Sequence, residues 1–154
     1  MYKALNTTTG MMLAVKRIKL TGKSEKEITQ LMKEVDLLKK LEHPSVVKYE
    51  GLVRSNDVLS IILEWVESGS LYLTLKNFGP FEEGLCASYV VQILEGLHYL
   101  HNRQVVHCDL KAANILTTKK GNIKLSDFGV SLNLQAMENI ATRKDAVGTP
   151  NWSE

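Results

Sequence analysis

Apolar and polar positions alternate with two different periods along this chain, and the changes of period mark its elements. Over residues 12–20, MLAVKRIKL, the pattern predicts a strand centred on Ala14, Val15 and Lys16. Thr21-Gly22-Lys23-Ser24 breaks it. Ile28, Leu31, Met32, Val35, Leu38 and Leu41 then recur at three- and four-residue steps, which predicts an amphipathic helix with Lys and Glu opposite. Ser24 and Glu27 have the spacing of a capping box at its start. His43-Pro44 ends it, because the residue before a proline is pushed out of the helical region.

Residues 46–53 and 58–65 read as two strands, with Arg54-Ser55-Asn56-Asp57 as the turn between them. A short helical stretch starts at Ser68-Gly69-Ser70 and stops by Gly79-Pro80. The longest helix is predicted over 84–102, with Tyr89, Val90, Ile93, Leu94, Leu97 and Leu100 on its buried face. Short strands over 114–118 and 122–126 flank a Lys119-Lys120-Gly121 turn. From Ser131 onward the chain is polar and weakly periodic, and reads as a loop. This order predicts an α+β chain, a small sheet-based lobe (1–66) joined to a helical one (67–154), with the junction inside 64–69.

Composition narrows the function classes. With 154 residues, 44% hydrophobic and 23% charged, the chain has the make-up of a soluble globular domain. A net charge of +2 is too weak to point to nucleic acid or an anionic membrane as partner. No apolar run has the length of a membrane span, and the start carries no signal-peptide core. Cys86 and Cys108 stand outside any metal-type or CxxC pairing, so a reduced, cytoplasmic setting is expected.

The chemistry concentrates in Val106-His107-Cys108-Asp109-Leu110-Lys111-Ala112-Ala113-Asn114 and in Lys124-Leu125-Ser126-Asp127-Phe128-Gly129. Asp109 can accept a proton from an alcohol, Lys111 can neutralise a transferring phosphoryl group, and Asn114 and Asp127 can hold Mg²⁺. Magnesium prefers a few hard oxygen ligands plus substrate phosphates, which an amide and a carboxylate supply. No GxxxxGK[ST] occurs, which excludes a P-loop NTPase.

The spacing from Asp109 to Asn114 and on to Asp127-Phe128-Gly129 resembles the catalytic and metal-binding loops of eukaryotic protein kinases. The resemblance implies ATP as phosphate donor, Mg²⁺ as cofactor, a protein as substrate, and an upstream activator or scaffold as a further partner. It implies that Lys16, in Leu13-Ala14-Val15-Lys16, pairs the α/β-phosphates and is held by Glu34 on the following helix. Leu63-Glu64-Trp65-Val66 resembles the hinge: the backbone at Glu64 and Val66 would meet the adenine edge, with Leu63 as gatekeeper and Ala14 and Leu116 around the ring. Leu38, Tyr49, His107 and Phe128 match a stack linking the two lobes of active kinases. Lys111, two residues after the aspartate, and Gly148-Thr149-Pro150-Asn151-Trp152 resemble serine/threonine kinases of the MAP-kinase-cascade group and the fungal septation-type kinases near it. Ser131, Thr142 and Thr149 are phosphorylation candidates.

Three departures from the family pattern shape the expectation. The Gly-rich loop would precede Tyr2, and the family continues past Trp152, so a truncated two-lobe kinase fold is expected: a partial antiparallel N-lobe sheet with one helix, and a partial helical C-lobe. Cys108 stands where the family has an arginine that pairs with a phosphate on the activation loop, a pairing a thiol cannot make. The leading expectation is a serine/threonine protein kinase domain. The rival is a kinase-like protein without activity that acts as a binding or regulatory module. A small-molecule phosphotransferase is disfavoured by Phe128-Gly129 followed by Gly148-Thr149-Pro150.

Overall fold

The structure is a computed structural model that describes residues 1–127, apart from the side chain of Glu34, and the backbone of Leu132 and Asn133. Phe128, Gly129, Ser131, Thr142 and residues 148–152 lie outside the described residues. The chain divides into two units, Met1–Glu42 with Val47–Val66, and His43–Val46 with Glu67–Glu154.

The first unit is a four-stranded antiparallel sheet in the order β1-β2-β4-β3. Its strands are β1 (Tyr2–Leu5), β2 (Met12–Lys19), β3 (Tyr49–Arg54) and β4 (Val58–Glu64), with helix α1 (Glu25–Leu38) between β2 and β3. β1 is an addition to the elements expected from sequence. Four residues are too few to show a period; its signal is the turn after it. There the Asn6 side-chain oxygen accepts the N–H groups of Thr8 and Thr9 at 3.0 and 3.2 Å, and Gly10 takes the left-handed φ of 72° that closes the hairpin.

Register decides which side of β2 is buried. Ala14 pairs with Leu63, Lys16 with Ile61 and Ile18 with Leu59, and directly opposed residues share a face. That face packs on α1: Leu20, Val35, Leu59 and Ile61 form its core, with Ile18, Ile28, Leu31, Met32, Tyr49, Leu52 and Leu63 around it. The capping box at the start of α1 is present. Ser24 Oγ accepts Glu27 N–H at 3.3 Å and Glu27 Oε2 accepts Ser24 N–H at 2.8 Å. Ser24→Ala should therefore lower stability by about 1 kcal/mol in urea unfolding, with Thr at the same site restoring most of it. The helix ends at Leu38, short of the expected proline, because the N–H groups of Lys40 and Leu41 bond three residues back and tighten the last turn.

The second unit holds α2 (Leu71–Phe78), α3 (Glu83–Asn102), the strand pair β5 (Val105–Val106) with β8 (Leu132–Asn133), and the hairpin β6 (Ile115–Thr117) with β7 (Ile123–Leu125). β5 and β8 form two antiparallel pairs, so part of the stretch expected to be loop is strand. Val46, expected in a strand with 47–53, belongs to this unit instead, where it is buried and bridges to Leu125. The buried face of α3 also differs from expectation. Leu100 is buried and Tyr89, Ile93 and Leu97 are half-buried, as expected, but Val90 and Leu94 are 51% and 59% exposed, and Gly96 is buried in their stead. The inner line runs Gln92, Gly96, Leu100, at steps of four. Its centre is a glutamine and a glycine, so hydrophobicity alone places the face too far round the helix.

Candidate active site

The loop between β5 and β6 carries the catalytic candidates. Cys108 adopts φ 61°, a left-handed conformation costly for a residue with a Cβ, and its thiol donates to the Val106 carbonyl at 3.6 Å. Asp109 follows with its backbone N–H donating to His107 Nδ1 at 3.3 Å. Its carboxylate is held from two sides. Lys111 Nζ lies 3.1 Å from Oδ1 and 2.9 Å from Oδ2, and Asn114 Nδ2 donates to Oδ2 at 2.9 Å. The same amide nitrogen donates to the Asp109 carbonyl at 2.8 Å. Asn114 sits in one turn of 3-10 helix (Ala112–Asn114), closed by its N–H on the Lys111 carbonyl at 2.8 Å.

Asp127 reaches the same place by another route. Ser126, the residue before it, donates its N–H at 2.8 Å and its hydroxyl at 3.0 Å to the Asn114 carbonyl. That ties the end of β7 to the start of β6, and Asp127 follows exposed at φ 60°. The structure thus gathers Asp109, Lys111, Asn114 and Asp127 at one end of one hairpin. The Asn114 Nδ2 atom is committed to Asp109, so of its two amide atoms the oxygen is the one that could meet a cation. An amide oxygen and an exposed carboxylate fit magnesium, which takes few protein ligands and completes its shell with water and phosphate.

His107 is buried at 2% exposure and links both halves of this loop system. Its Nε2 is 3.0 Å from the Ser126 carbonyl and its Nδ1 accepts Asp109 N–H, so the ring is the neutral Nε2–H tautomer. Burial holds its pKa below the ordinary histidine value, against the Ser126 carbonyl and the charges of Asp109 and Asp127, which act the other way. A depressed histidine contributes stability that is present above its unfolded pKa of 6.5 and lost as pH falls through the lower folded value. The expected result is a melting temperature that falls as pH drops below about 6.5, with that acid loss reduced in His107→Phe.

In the first unit, Lys16 occupies β2 between Ala14 and Ile18 on the face that packs on α1. A lysine on an otherwise apolar face is unlike a solvated strand-end lysine. Glu34 lies in α1 directly before the fully buried Val35; its side chain, and hence its pairing with Lys16, falls outside the described residues. Ala14 and Val66 are buried, and Leu63 is half-buried in β4. Glu64 donates its N–H to the Lys48 carbonyl at 2.9 Å and accepts Lys48 N–H on Oε1 at 2.7 Å, which fixes the chain leading to Val66. In the second unit, Leu116 lies in β6, held by the Thr117 N–H on the Gly69 carbonyl at 2.8 Å.

Two carboxylates, an amide oxygen and an ammonium group at one strand end are the equipment of a phosphotransferase. Sequence comparison agrees with that class: residues 1–154 match the protein kinase domain model, and the chain belongs to that family. It is 50% identical over 151 residues to the cytokinesis protein sepH of Aspergillus niger, covering 98% of this chain and 11% of that protein. It is 48% identical to the cell division control protein 7 of Schizosaccharomyces pombe, again over 98% of this chain and 14% of the relative. Against the MAP3K epsilon protein kinase 1 of Arabidopsis thaliana, identity is 46% over 153 residues, 98% of this chain and 11% of the relative. The chain therefore spans between 11% and 14% of the length of these relatives.

Proposed function

We propose that the protein is a serine/threonine protein kinase of a signalling cascade, transferring the γ-phosphate of ATP to a serine or threonine hydroxyl of a protein in the cytoplasm. The observation that carries this reading is the carboxylate of Asp109, gripped by Lys111 and by Asn114 within one short loop. A carboxylate so held can orient a hydroxyl and take its proton, and positioning is most of what phosphoryl transfer requires. Lys111, already beside that carboxylate, is placed to offset charge on the phosphoryl group in flight. Asn114 and Asp127 are the magnesium ligands, and the bound cation would supply charge neutralisation at the phosphates. Lys16 takes the α/β-phosphates with Glu34 steadying it. Ala14, Leu63, Glu64 and Val66 in the first unit and Leu116 in the second take the adenine. Lys111 also favours an aliphatic hydroxyl over a phenol as acceptor, by the family pattern. Support for a cascade role comes from the names of the relatives, which include a MAP3K protein kinase and two cell-division proteins. A partner that scaffolds or activates the protein belongs to the same proposal.

The test is a matched peptide set differing only in Ser, Thr or Tyr at one position, offered with Mg²⁺ and γ-labelled ATP. Label on the serine and threonine peptides and none on tyrosine is expected. Label on tyrosine alone, or on none with ATP demonstrably bound, would overturn the reading.

A further inference from the structure

Strand β7 turns two amide donors away from its partner strand. Ile123 N–H donates to the side-chain oxygen of Gln92 at 3.0 Å, and Leu125 N–H donates to the Ser45 carbonyl at 2.8 Å. Both residues are at 0% exposure, so water cannot replace either acceptor. The amide orientation of Gln92 is settled from both ends. Its Nε2 donates to the Ser88 carbonyl one helical turn back at 3.3 Å, leaving Oε1 for Ile123; the flipped amide would set donor against donor.

One turn further along α3, Gly96 makes the second half of the fit. A Cβ there would lie 2.9 Å from Leu125 Cδ1 and 3.1 Å from the Ser45 carbonyl oxygen. Gln92 and Gly96 stand four apart, on one line of the helix. α3 therefore holds β7 at two points, one by a hydrogen bond and one by close approach. Beyond Leu125 only Ser126, itself bonded to Asn114, separates the strand from Asp127.

We infer that Gln92 is a positioning residue for the metal-binding end of the site. Its side-chain oxygen sets the register of β7, and through β7 the placing of Asp127 and Asn114. It touches no substrate and acts only through Ile123. The meaning given to Asp127 rests on the proposed function; the two-point hold on β7 does not.

The experiment compares the parent with Gln92→Met, which keeps length and loses the acceptor, Gln92→Glu, which keeps the acceptor for Ile123 and gives up only the solvent-exposed donation to Ser88, and Val91→Ala on the exposed side of the same helix. Amide hydrogen exchange at Ile123 is read against exchange in α1, and Mn²⁺ is titrated with ATP present while broadening of the Asp127 resonance is followed. Gln92→Met should exchange at Ile123 roughly tenfold faster with α1 unchanged, since a buried donor has lost its partner. Its apparent Mn²⁺ affinity should fall about tenfold, the usual cost of removing a group behind a metal ligand. Gln92→Glu and Val91→Ala should stay near the parent. Unchanged Ile123 exchange in Gln92→Met, or faster exchange with full Mn²⁺ affinity, would overturn the inference, as would an equal loss of affinity in Gln92→Glu. Neither readout needs phosphate transfer, so a protein without kinase activity would defeat the functional reading and still leave this one decided.

Discussion

Asp109→Asn should lower phosphoryl transfer by about two to four orders of magnitude, the range expected for loss of a positioned general base, while ATP affinity stays close to the parent's. An asparagine keeps the shape but cannot accept a proton. It also loses the ion pair with Lys111, which lies within 3.1 Å of both carboxylate oxygens, and leaves that ammonium to swing elsewhere. Asn114 is affected less, because its Nδ2 retains the Asp109 backbone carbonyl at 2.8 Å. Asp127→Asn should behave differently. It removes the only carboxylate proposed to face magnesium, so both Mg·ATP affinity and turnover should collapse. Single-turnover rates and calorimetric ATP titrations of the two variants separate the roles. Equal loss of ATP affinity in both would show that Asp109, too, binds the metal.

What was legible in the sequence was what is local in the structure. The partners of Asp109 lie two and five residues away, so the loop that holds it is written in one short string. The same is true of α1, whose cap spans three residues and whose stripe repeats every three or four. What stayed hidden depends on remote partners. Nothing near Leu132 says that it pairs with Val106, and nothing near Val46 says that it leaves β3 for Leu125. Lys16 falls between these cases. Its motif was legible, but that its face of β2 is the buried one follows from the pairing of β2 with β4, where Lys16 lies opposite the distant Ile61. Gln92 is hidden because a polar residue on a helix normally reads as surface. Its signal, a glutamine four residues before a glycine on the inner line, becomes visible only once Val90 and Leu94 are known to face outward.

Gly96 makes the sharpest stability test of that inner line. Gly96→Ala gains about 1 kcal/mol of helix propensity but must push aside the end of Leu125 and shift the Ser45 carbonyl by a small amount, since its Cβ would lie 2.9 and 3.1 Å from them, so its net cost should be about 1 kcal/mol. Gly96→Val should cost about 3 kcal/mol, near the top of the range for overpacking. Branching at Cβ adds atoms beyond the position that already lies 3.1 Å from the Ser45 carbonyl, and a backbone oxygen cannot rotate away as a leucine methyl can. Moving Ser45 would strain its bond from Leu125 N–H and the neighbouring Val46 carbonyl that accepts from Lys124 at 3.5 Å. Against a typical net stability of about 5–15 kcal/mol, that loss is large enough to read directly as a shifted urea midpoint. The outcome that counts is the gap between the two variants. If valine is no worse than alanine, residues 43–46 yield at little cost, and the close approach at Gly96 does not hold β7 in place.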